Sequence, residues 1–336
     1  MRLSRQLFAL TLAALTACGT TKETRRFSRE ETSQALKKLE VVSLELGEFP
    51  FAGPSAVLDG DTIKVKGLNA SMRLLGMDTE ETFEHFPKDR QLYESVSWEE
   101  YLKQKRGHSP RPVKMATPEG DAAWHWGENF FADVTTVRIE RDHPGEIRDF
   151  YGRYLAYVFA KKNGEWVNYN LEVVRAGHSP YYMKYGRSRR FHREFIEAEK
   201  EAREAKRGIW DDSGKVQHYP DYPERLKWWA EREAIITRFE RDADQSPDDH
   251  IALTRWDAMR KLESMVGHEV YVLGAVADVL QRENGPAVVK LARSRTSNFD
   301  IVFWDRDVLL ATGVQFKKGE YVQVRGTVQK YRNARG

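Results

Sequence analysis

Short runs of alternating apolar and polar residues dominate the chain between about residues 50 and 80, as expected of half-buried β-strands. Residues 57–58, 63–65 and 72–75 form three such runs. The acidic sequence DGDT (59–62) follows the first run, and the acidic sequence DTEE (78–81) follows the third. The pattern therefore predicts strands that carry acidic residues at their ends.

Apolar residues recur at helical spacing in two longer segments. The first begins with Thr117, an N-cap residue, followed by Pro118 at the first helical position. The second spans about residues 190–207 and ends before Gly208. The residues expected in a core are Ala122, Ala123, Trp126, Phe130 and Phe131 in the first helix, and Phe191, Phe195, Ala198, Ala202 and Ala205 in the second.

Residues 83–116 separate the second acidic sequence from the first of these helices. Within them, Ser97 and Glu100 form a capping box that predicts a short helix through Lys105. Since the segment leaves directly after Glu81, it would form either a lid or substrate-selecting wall beside the acidic residues, or a solvated excursion. The sequence leaves both alternatives open.

The C-terminal half changes from a polar, helical pattern to alternating strands. Residues 211–266 predict a helical connector, in which Ser246 and Pro247 start a helix. Beyond it, four alternating runs predict β-strands, with a loop or short helix before the last. These runs span residues 267–280, 287–291, 299–304 and 320–331.

The composition is that of an ordered chain with room for two domains, since 40% of the 336 residues are hydrophobic and 31% are charged. These values exclude a disordered protein. The formal net charge is only +3. Binding of a polyanion would therefore depend on local basic clusters, such as residues 184–190, rather than on a global field.

The two acidic sequences indicate a metal-and-phosphate site. Asp61 and Asp78 would offer carboxylates to one hard divalent cation, Arg73 would hold a phosphate, and Glu81 would act as a base toward water. The plainer alternative is an Asp-Gly turn with solvated carboxylates and a surface ion pair between Arg73 and Glu81.

The residues around these acids, 56–62 and 72–82, resemble the opening motifs of the staphylococcal nuclease (thermonuclease) family. A third block, residues 149–158 (DFYGRYLAYV), is similar to the family and occurs in the same order. The resemblance spans about residues 50–212. It implies a five-stranded OB-type barrel with nuclease activity.

The resemblance implies a calcium site. Asp61 and Asp78 match the family's calcium carboxylates, and Thr79 would add its backbone carbonyl. Asp59 would lie next to these ligands. Glu80 stands where the family commonly has proline, so we expect it to place a second negative charge beside the metal and to make the loop less rigid.

The resemblance also implies the catalytic and substrate-binding residues. Glu81 matches the carboxylate proposed to activate water, and Arg73 and Arg153 match two arginines that hold the scissile phosphate. Tyr151 matches a residue that packs near the nucleotide, and Tyr185 is a further candidate for nucleotide contact. Two guanidinium groups and a divalent cation would stabilise the negative charge that develops on the phosphate oxygens.

The first 20 residues resemble a bacterial lipoprotein signal. Arg2 and Arg5 precede an apolar run, residues 7–17, which is too short for a permanent membrane span. The run leads to Cys18, the only cysteine of the chain, in the lipobox-like sequence LTACG. We expect lipidation of Cys18 and an exported protein anchored to a bacterial membrane. The alternative is a buried thiol.

The C-terminal strands at residues 267–274, 299–303 and 319–326 resemble nucleic-acid-binding OB-fold domains. Phe299 and Trp304 would stack on bases. Alternatively, the aromatic residues belong to a core, and the domain is a spacer or a protein-docking module. The candidate phosphate-binding cations are Lys290, Arg293, Arg295, Arg325, Lys330 and Arg332.

The sequence as a whole predicts an α+β protein with two OB-type barrels joined by a helical connector. The predicted parts are a signal peptide (1–17), a polar leader (18–47), a nuclease-like domain (48–212), the connector (213–266) and the second barrel (267–336).

The predicted function is calcium-dependent hydrolysis of phosphodiester bonds in DNA, with RNA as a second candidate substrate. The family resemblance implies attack of water at phosphorus and products that end in 3′-phosphate. No protein partner is inferred. Two alternatives are a nucleic-acid-binding lipoprotein without catalysis, and a cell-surface adhesion or scaffold protein.

Overall fold

Two β-sheets and the helices around them form an α+β fold, as predicted. The computed structural model describes residues 44–143, 145, 149, 151–281, 285–294 and 297–330. Cys18, Arg295 and Arg332 lie outside the described residues, as do the predicted signal peptide and most of the predicted leader.

The first sheet contains seven strands and carries the acidic sequences. They are β1 (Glu45–Pro50), β2 (Val57–Asp59), β3 (Thr62–Ile63), β4 (Met72–Leu74), β5 (Thr136–Glu140), β6 (Tyr154–Lys162) and β7 (Glu165–Asn168). Their order is β1-β5-β6-β4-β3-β2, with β7 paired to β6. Strands β4 and β6 run parallel, with Arg73 opposite Leu155. Arg73 therefore lies inside the sheet on β4, between β3, which follows the first acidic turn, and β6, which follows Arg153.

Five α-helices accompany this sheet in the described chain. They are α1 (Pro87–Ser95), α2 (Trp98–Arg106), α3 (Pro118–Phe130), α4 (Tyr169–Arg175) and α5 (His192–Glu204). The predicted N-caps are confirmed, because the Ser97 and Thr117 side chains accept hydrogen bonds from the N–H groups of Glu100 and Gly120.

The core beneath the first sheet contains residues that the periodicity predicted to face inward. Ile63, Met72 and Phe195 are each 0% exposed. Burying a side chain of this size contributes about 1.5–3 kcal/mol. Ala122 and Ala205 were also predicted to lie in a core, but both are exposed. Ala205 lies just beyond the last residue of α5.

A long helix, α6 (Tyr222–Gln245), leads to the second sheet. The remaining helices are α7 (Ala258–Ser264) and α8 (Arg306–Thr312). The prediction of a helix that starts at Ser246 is wrong, because Ser246 follows the end of α6 and residues 250–252 form a strand. Helix α8 confirms the short helix predicted before the last strand.

The second sheet has five strands and its own core. They are β8 (His250–Ala252), β9 (Glu269–Leu280), β10 (Ala287–Ser294), β11 (Ser297–Phe303) and β12 (Tyr321–Thr327). The order is β11-β10-β9-β12, with β8 parallel to β9. Val272, Val289 and Leu291 are 0–3% exposed.

Closure of the two predicted barrels is not seen in the part of the chain that the structure describes. No pairing there joins β1 to β2, or β11 to β12. Strands β2 and β3 at that edge of the first sheet have only three and two residues. Within the same ranges, none of the helices combines the length and apolar character that crossing a membrane requires.

Candidate active site

The turn between β2 and β3 brings the first acidic sequence against the second. A Cβ on Gly60 would lie 2.6 Å from Thr79 Cγ2, so the close approach requires glycine. The Tyr169 hydroxyl donates to the Gly60 carbonyl oxygen at 3.0 Å. In the second sequence, the Asp78 N–H donates to Ser179 Oγ at 2.8 Å. Both acidic sequences are thus held in place by buried hydrogen bonds.

Arg73 joins the two acidic sequences. Its guanidinium forms ion pairs with one carboxylate oxygen of Asp61 and one of Asp78. The three side chains are only 12%, 7% and 6% exposed. In β4, Met72 and Leu74 point into the core, so Arg73 points to the opposite face of the strand. One charged group therefore bridges both carboxylates.

Lys114 is a site residue that the sequence analysis did not identify. Its Nζ lies 3.0 Å from Asp78 Oδ1 and 2.8 Å from Glu81 Oε1. Lys114 belongs to the end of segment 83–116, just before an isolated β-bridge between Ala116 and Glu81. This part of the segment therefore borders the site. Its partners lie 36 and 33 residues away in the sequence, so no local pattern marks this lysine.

Charges and burial shift the pKa values of two carboxyl groups. Burial opposes ionisation of Asp78, but the positive charges of Lys114 and Arg73 outweigh it and hold the pKa of Asp78 below its usual range. Burial raises the pKa of Asp59 to about 8, and its acidic neighbours add to this. Burial and the neighbouring carboxylates therefore favour the neutral form of the Asp59 carboxyl.

Glu80 points toward the connector, so the expectation of a second charge beside the metal is wrong. Its side chain accepts hydrogen bonds from Thr117 Oγ1, from the Tyr219 N–H at 2.7 Å and from the Tyr222 hydroxyl at 2.9 Å. Glu80 is 1% exposed, and burial raises its pKa to about 8. These bonds tie the acidic loop to Thr117 and to the connector, whereas the expected loss of rigidity stays a prediction.

Arg153 lies directly before β6 and is held by Asp149. Its Nε donates to Asp149 Oδ2 at 2.8 Å, and its backbone N–H donates to Asp149 Oδ1 at 2.9 Å. The Tyr151 ring is 5.5 Å from the Arg153 guanidinium and 68% exposed. Among the described residues, the ion-pair partner of Arg153 is Asp149, and neither Asp61 nor Asp78 pairs with it. The structure thus places Arg153 just before β6, the strand next to that of Arg73, without an ion pair to Asp61 or Asp78.

Tyr185 is 59% exposed and lies among aromatic and basic residues beyond Arg73. Its ring is 5.8 Å from that of Tyr182, and the Arg73 guanidinium faces the Tyr182 ring at 5.7 Å. Lys184 Nζ lies 4.3 Å from the ring of Trp228, a residue of α6. Burial lowers the pKa of Lys184 to about 8, and neighbouring cations add to this. The site thus continues from Arg73 toward α6.

The oxygen atoms at the site fit a hard divalent cation in an open arrangement. Within the ranges described above, no three His, Cys, Asp or Glu side chains form a metal-binding group. Asp61 and Asp78 would supply two carboxylates, and the family resemblance implies the Thr79 carbonyl as a third oxygen. Calcium takes six to eight oxygen ligands, so water or substrate would supply the others. All of these candidate ligand atoms are oxygens, which is the ligand type that calcium prefers.

A sheet that presents two acidic loops, a bridging arginine and a further carboxylate defines a class of protein that acts on phosphate esters. The sequence profile of the family described as "Staphylococcal nuclease homologue" matches residues 71–212. The chain belongs to this nuclease family, which has an OB-fold domain, as the sequence motifs predicted. The matched residues include Arg73, Glu81 and Arg153, whereas Asp61 precedes them.

Two curated relatives have similar sequences, and both are uncharacterized proteins. One, from Methanocaldococcus jannaschii, is 31% identical over 157 residues, which cover 46% of this chain and 69% of the relative. The other, from Bacillus anthracis, is 30% identical over 169 residues, which cover 48% of this chain and 64% of the relative, slightly less than two thirds. The similarity supports the family and leaves the substrate to experiment.

Proposed function

We propose that this protein is a calcium-dependent nuclease that hydrolyses phosphodiester bonds in DNA, with RNA as a second substrate. One observation carries the proposal: Arg73 contacts Asp61 and Asp78 together, while Glu81 lies on the same loop as Asp78. Carboxylates for a cation, a guanidinium for phosphate and a carboxylate for water are thereby assembled in one place.

Asp61, Asp78 and the Thr79 carbonyl would hold the calcium ion, with Asp59 next to them. When bound, calcium would supply positive charge to a phosphate oxygen. Arg73 has five N–H donors, of which the two carboxylates engage only part. Its other N–H groups are therefore available to the scissile phosphate.

The proposed reaction is a hydrolysis in which Glu81 accepts a proton from water. The water oxygen forms a bond to phosphorus, the bond from phosphorus to the 5′-oxygen breaks, and that oxygen leaves with the electron pair and takes up a proton. Arg73 and Arg153 would hold the phosphate and stabilise the charge that grows on its oxygens. The products end in 3′-phosphate and 5′-hydroxyl groups.

Two exposed tyrosines are suited to contact the nucleotides on either side of the cleaved bond. Tyr151 lies beside Arg153, and Tyr185 lies beyond Arg73. Aromatic rings stack on bases with little sequence preference. We therefore propose that the enzyme cuts without a strict sequence requirement.

We extend the proposal to the C-terminal sheet as an accessory nucleic-acid-binding domain. Trp304 is 73% exposed and suited to base stacking, whereas Phe299 packs against the core of the second sheet. Lys290 and Arg325 each form an ion pair with a carboxylate, which reduces the charge that they offer to phosphates. Trp304 is therefore the preferred contact.

A lipid anchor at Cys18 and a location in the cell envelope are also part of the proposal. Millimolar calcium outside cells would suit a site with few protein ligands. Fractionation of cells that produce Cys18→Ser tests the anchor, because we expect this variant to leave the membrane fraction.

A cleavage assay separates the proposed enzyme from a protein that only binds nucleic acid. Single-stranded DNA, double-stranded DNA and RNA are incubated with calcium or with a chelator, beside Arg73→Ala and Glu81→Ala. We expect calcium-dependent cleavage that both variants lose. Intact substrate with salt-sensitive binding would support the non-catalytic lipoprotein. Absence of both cleavage and binding at low salt would favour the scaffold alternative.

A further inference from the structure

The end of segment 83–116 places a positive charge inside the acidic site. Lys114 Nζ lies within 3.0 Å of Asp78 and within 2.8 Å of Glu81. These are the candidate metal carboxylate and the candidate base. The Lys114 side chain is 46% exposed, compared with 6% for Asp78. The ammonium thus approaches a buried carboxylate from the open side of the site.

The backbone on both sides of Lys114 is fixed by the connector. The Met115 N–H donates to the Tyr219 hydroxyl at 3.1 Å, and that hydroxyl donates to the Met115 carbonyl oxygen at 2.7 Å. The Val113 carbonyl oxygen accepts a hydrogen bond from Arg225, which is 3% exposed. Lys114 is therefore held over the site, unlike a lysine on a flexible surface loop.

From these contacts we propose that Lys114 is a built-in competitor for the divalent cation and keeps the calcium affinity of the site low. A cation that binds Asp61 and Asp78 must share Asp78 with the ammonium or displace it, and the two positive charges repel each other. The inference rests on the proposed calcium site. It assigns to segment 83–116 the role of setting how much calcium the enzyme needs.

Calorimetric titration of calcium into the full-length protein, without nucleic acid, tests the inference. We expect Lys114→Met to bind calcium about tenfold more tightly or better, because a like charge is removed a few ångströms from the ion. Lys114→Arg keeps the charge and should stay within about twofold of the wild type. Lys103→Met is the matched control, since Lys103 lies in the same segment but pairs with Glu100 on the surface.

Each outcome decides the inference. Tighter binding in Lys114→Met alone supports it. Equal or weaker binding in Lys114→Met, or an equal gain in Lys103→Met, overturns it. If the wild type cleaves DNA with calcium while the affinity of Lys114→Met is unchanged, the inference fails and the proposed function stands. If no variant binds calcium, the inference and the proposed calcium site both fail.

Discussion

From the hydrogen bonds to Glu80 we predict the effect of a change at Tyr222, a residue far from the acidic loop in sequence. Glu80 lies between Thr79 and Glu81, and the Tyr222 hydroxyl at the start of α6 donates to it. Tyr222→Phe removes this donor and leaves the rest of the ring in place. Because Tyr222 is 5% and Glu80 1% exposed, water has little access to replace the bond.

The cost follows from the kind of bond that is lost. A hydrogen bond to a buried charged group contributes about 1.5–3 kcal/mol, compared with about 0.5–1.5 kcal/mol for a bond between neutral groups. Because burial raises the pKa of Glu80 to about 8, its carboxyl is mainly ionised only above that pH. We expect Tyr222→Phe to lower the free energy of unfolding by the larger amount in urea denaturation at pH 9, and by the smaller amount at pH 7. We also expect a lower kcat for DNA cleavage, because Thr79 and Glu81 flank the residue that loses its partner.

Tyr93→Phe is the matched control. The Tyr93 hydroxyl donates to Gln217 Oε1 at 2.6 Å, so it also joins segment 83–116 to the connector, but it does not contact the acidic loop. At pH 9 this variant should lose less stability than Tyr222→Phe, and it should keep its kcat. In a Glu80→Gln background, the effect of Tyr222→Phe should shrink, because the two residues are coupled. Equal stability losses for Tyr222→Phe and Tyr93→Phe at pH 9, with kcat unchanged in both, would refute the reasoning.

Three further predictions concern other parts of the chain. Gly120→Ala would place a Cβ 2.0 Å from the Glu81 carbonyl oxygen, so it should destabilise the protein by about 1–3 kcal/mol and impair cleavage. Gly326→Ala is the control, because a Cβ there has open space around it, and it should change neither stability nor cleavage. Equal melting temperatures for the two variants would count against the close approach at Gly120. Asp149→Asn should reduce cleavage less than Arg153→Ala, because it removes the partner of the arginine and not the arginine itself; kinetics with the reverse order would show that Arg153 does not bind the phosphate. Trp304→Ala should weaken binding of single-stranded DNA by about 1–3 kcal/mol in fluorescence anisotropy, and unchanged binding would argue against the accessory role.

The local features of the fold could be predicted from the sequence because short-range patterns determine them. The strand at residues 72–74 and the N-cap at Thr117 each depend on neighbouring residues. Family motifs then identified Arg73 and the second acidic sequence. These features place the candidate site on the sheet.

The features that the sequence did not reveal depend on distant contacts. Lys114 meets Asp78 and Glu81 across more than 30 residues, and the partners Tyr219 and Tyr222 lie about 140 residues after Glu80. Neither hydrophobic periodicity nor residue spacing carries such information. Closure of a barrel is equally non-local, since it depends on pairing between strands at opposite ends of the sheet.

The central claim is that the acidic loop performs phosphodiester hydrolysis, and kcat of Glu81→Gln at saturating calcium tests it most directly. Glu84→Gln is the control, because Glu84 follows closely in the chain and is exposed. Loss of a positioned base should lower kcat about a hundredfold or more, with DNA binding retained and Glu84→Gln unaffected. A kcat for Glu81→Gln equal to that of the wild type would contradict the account.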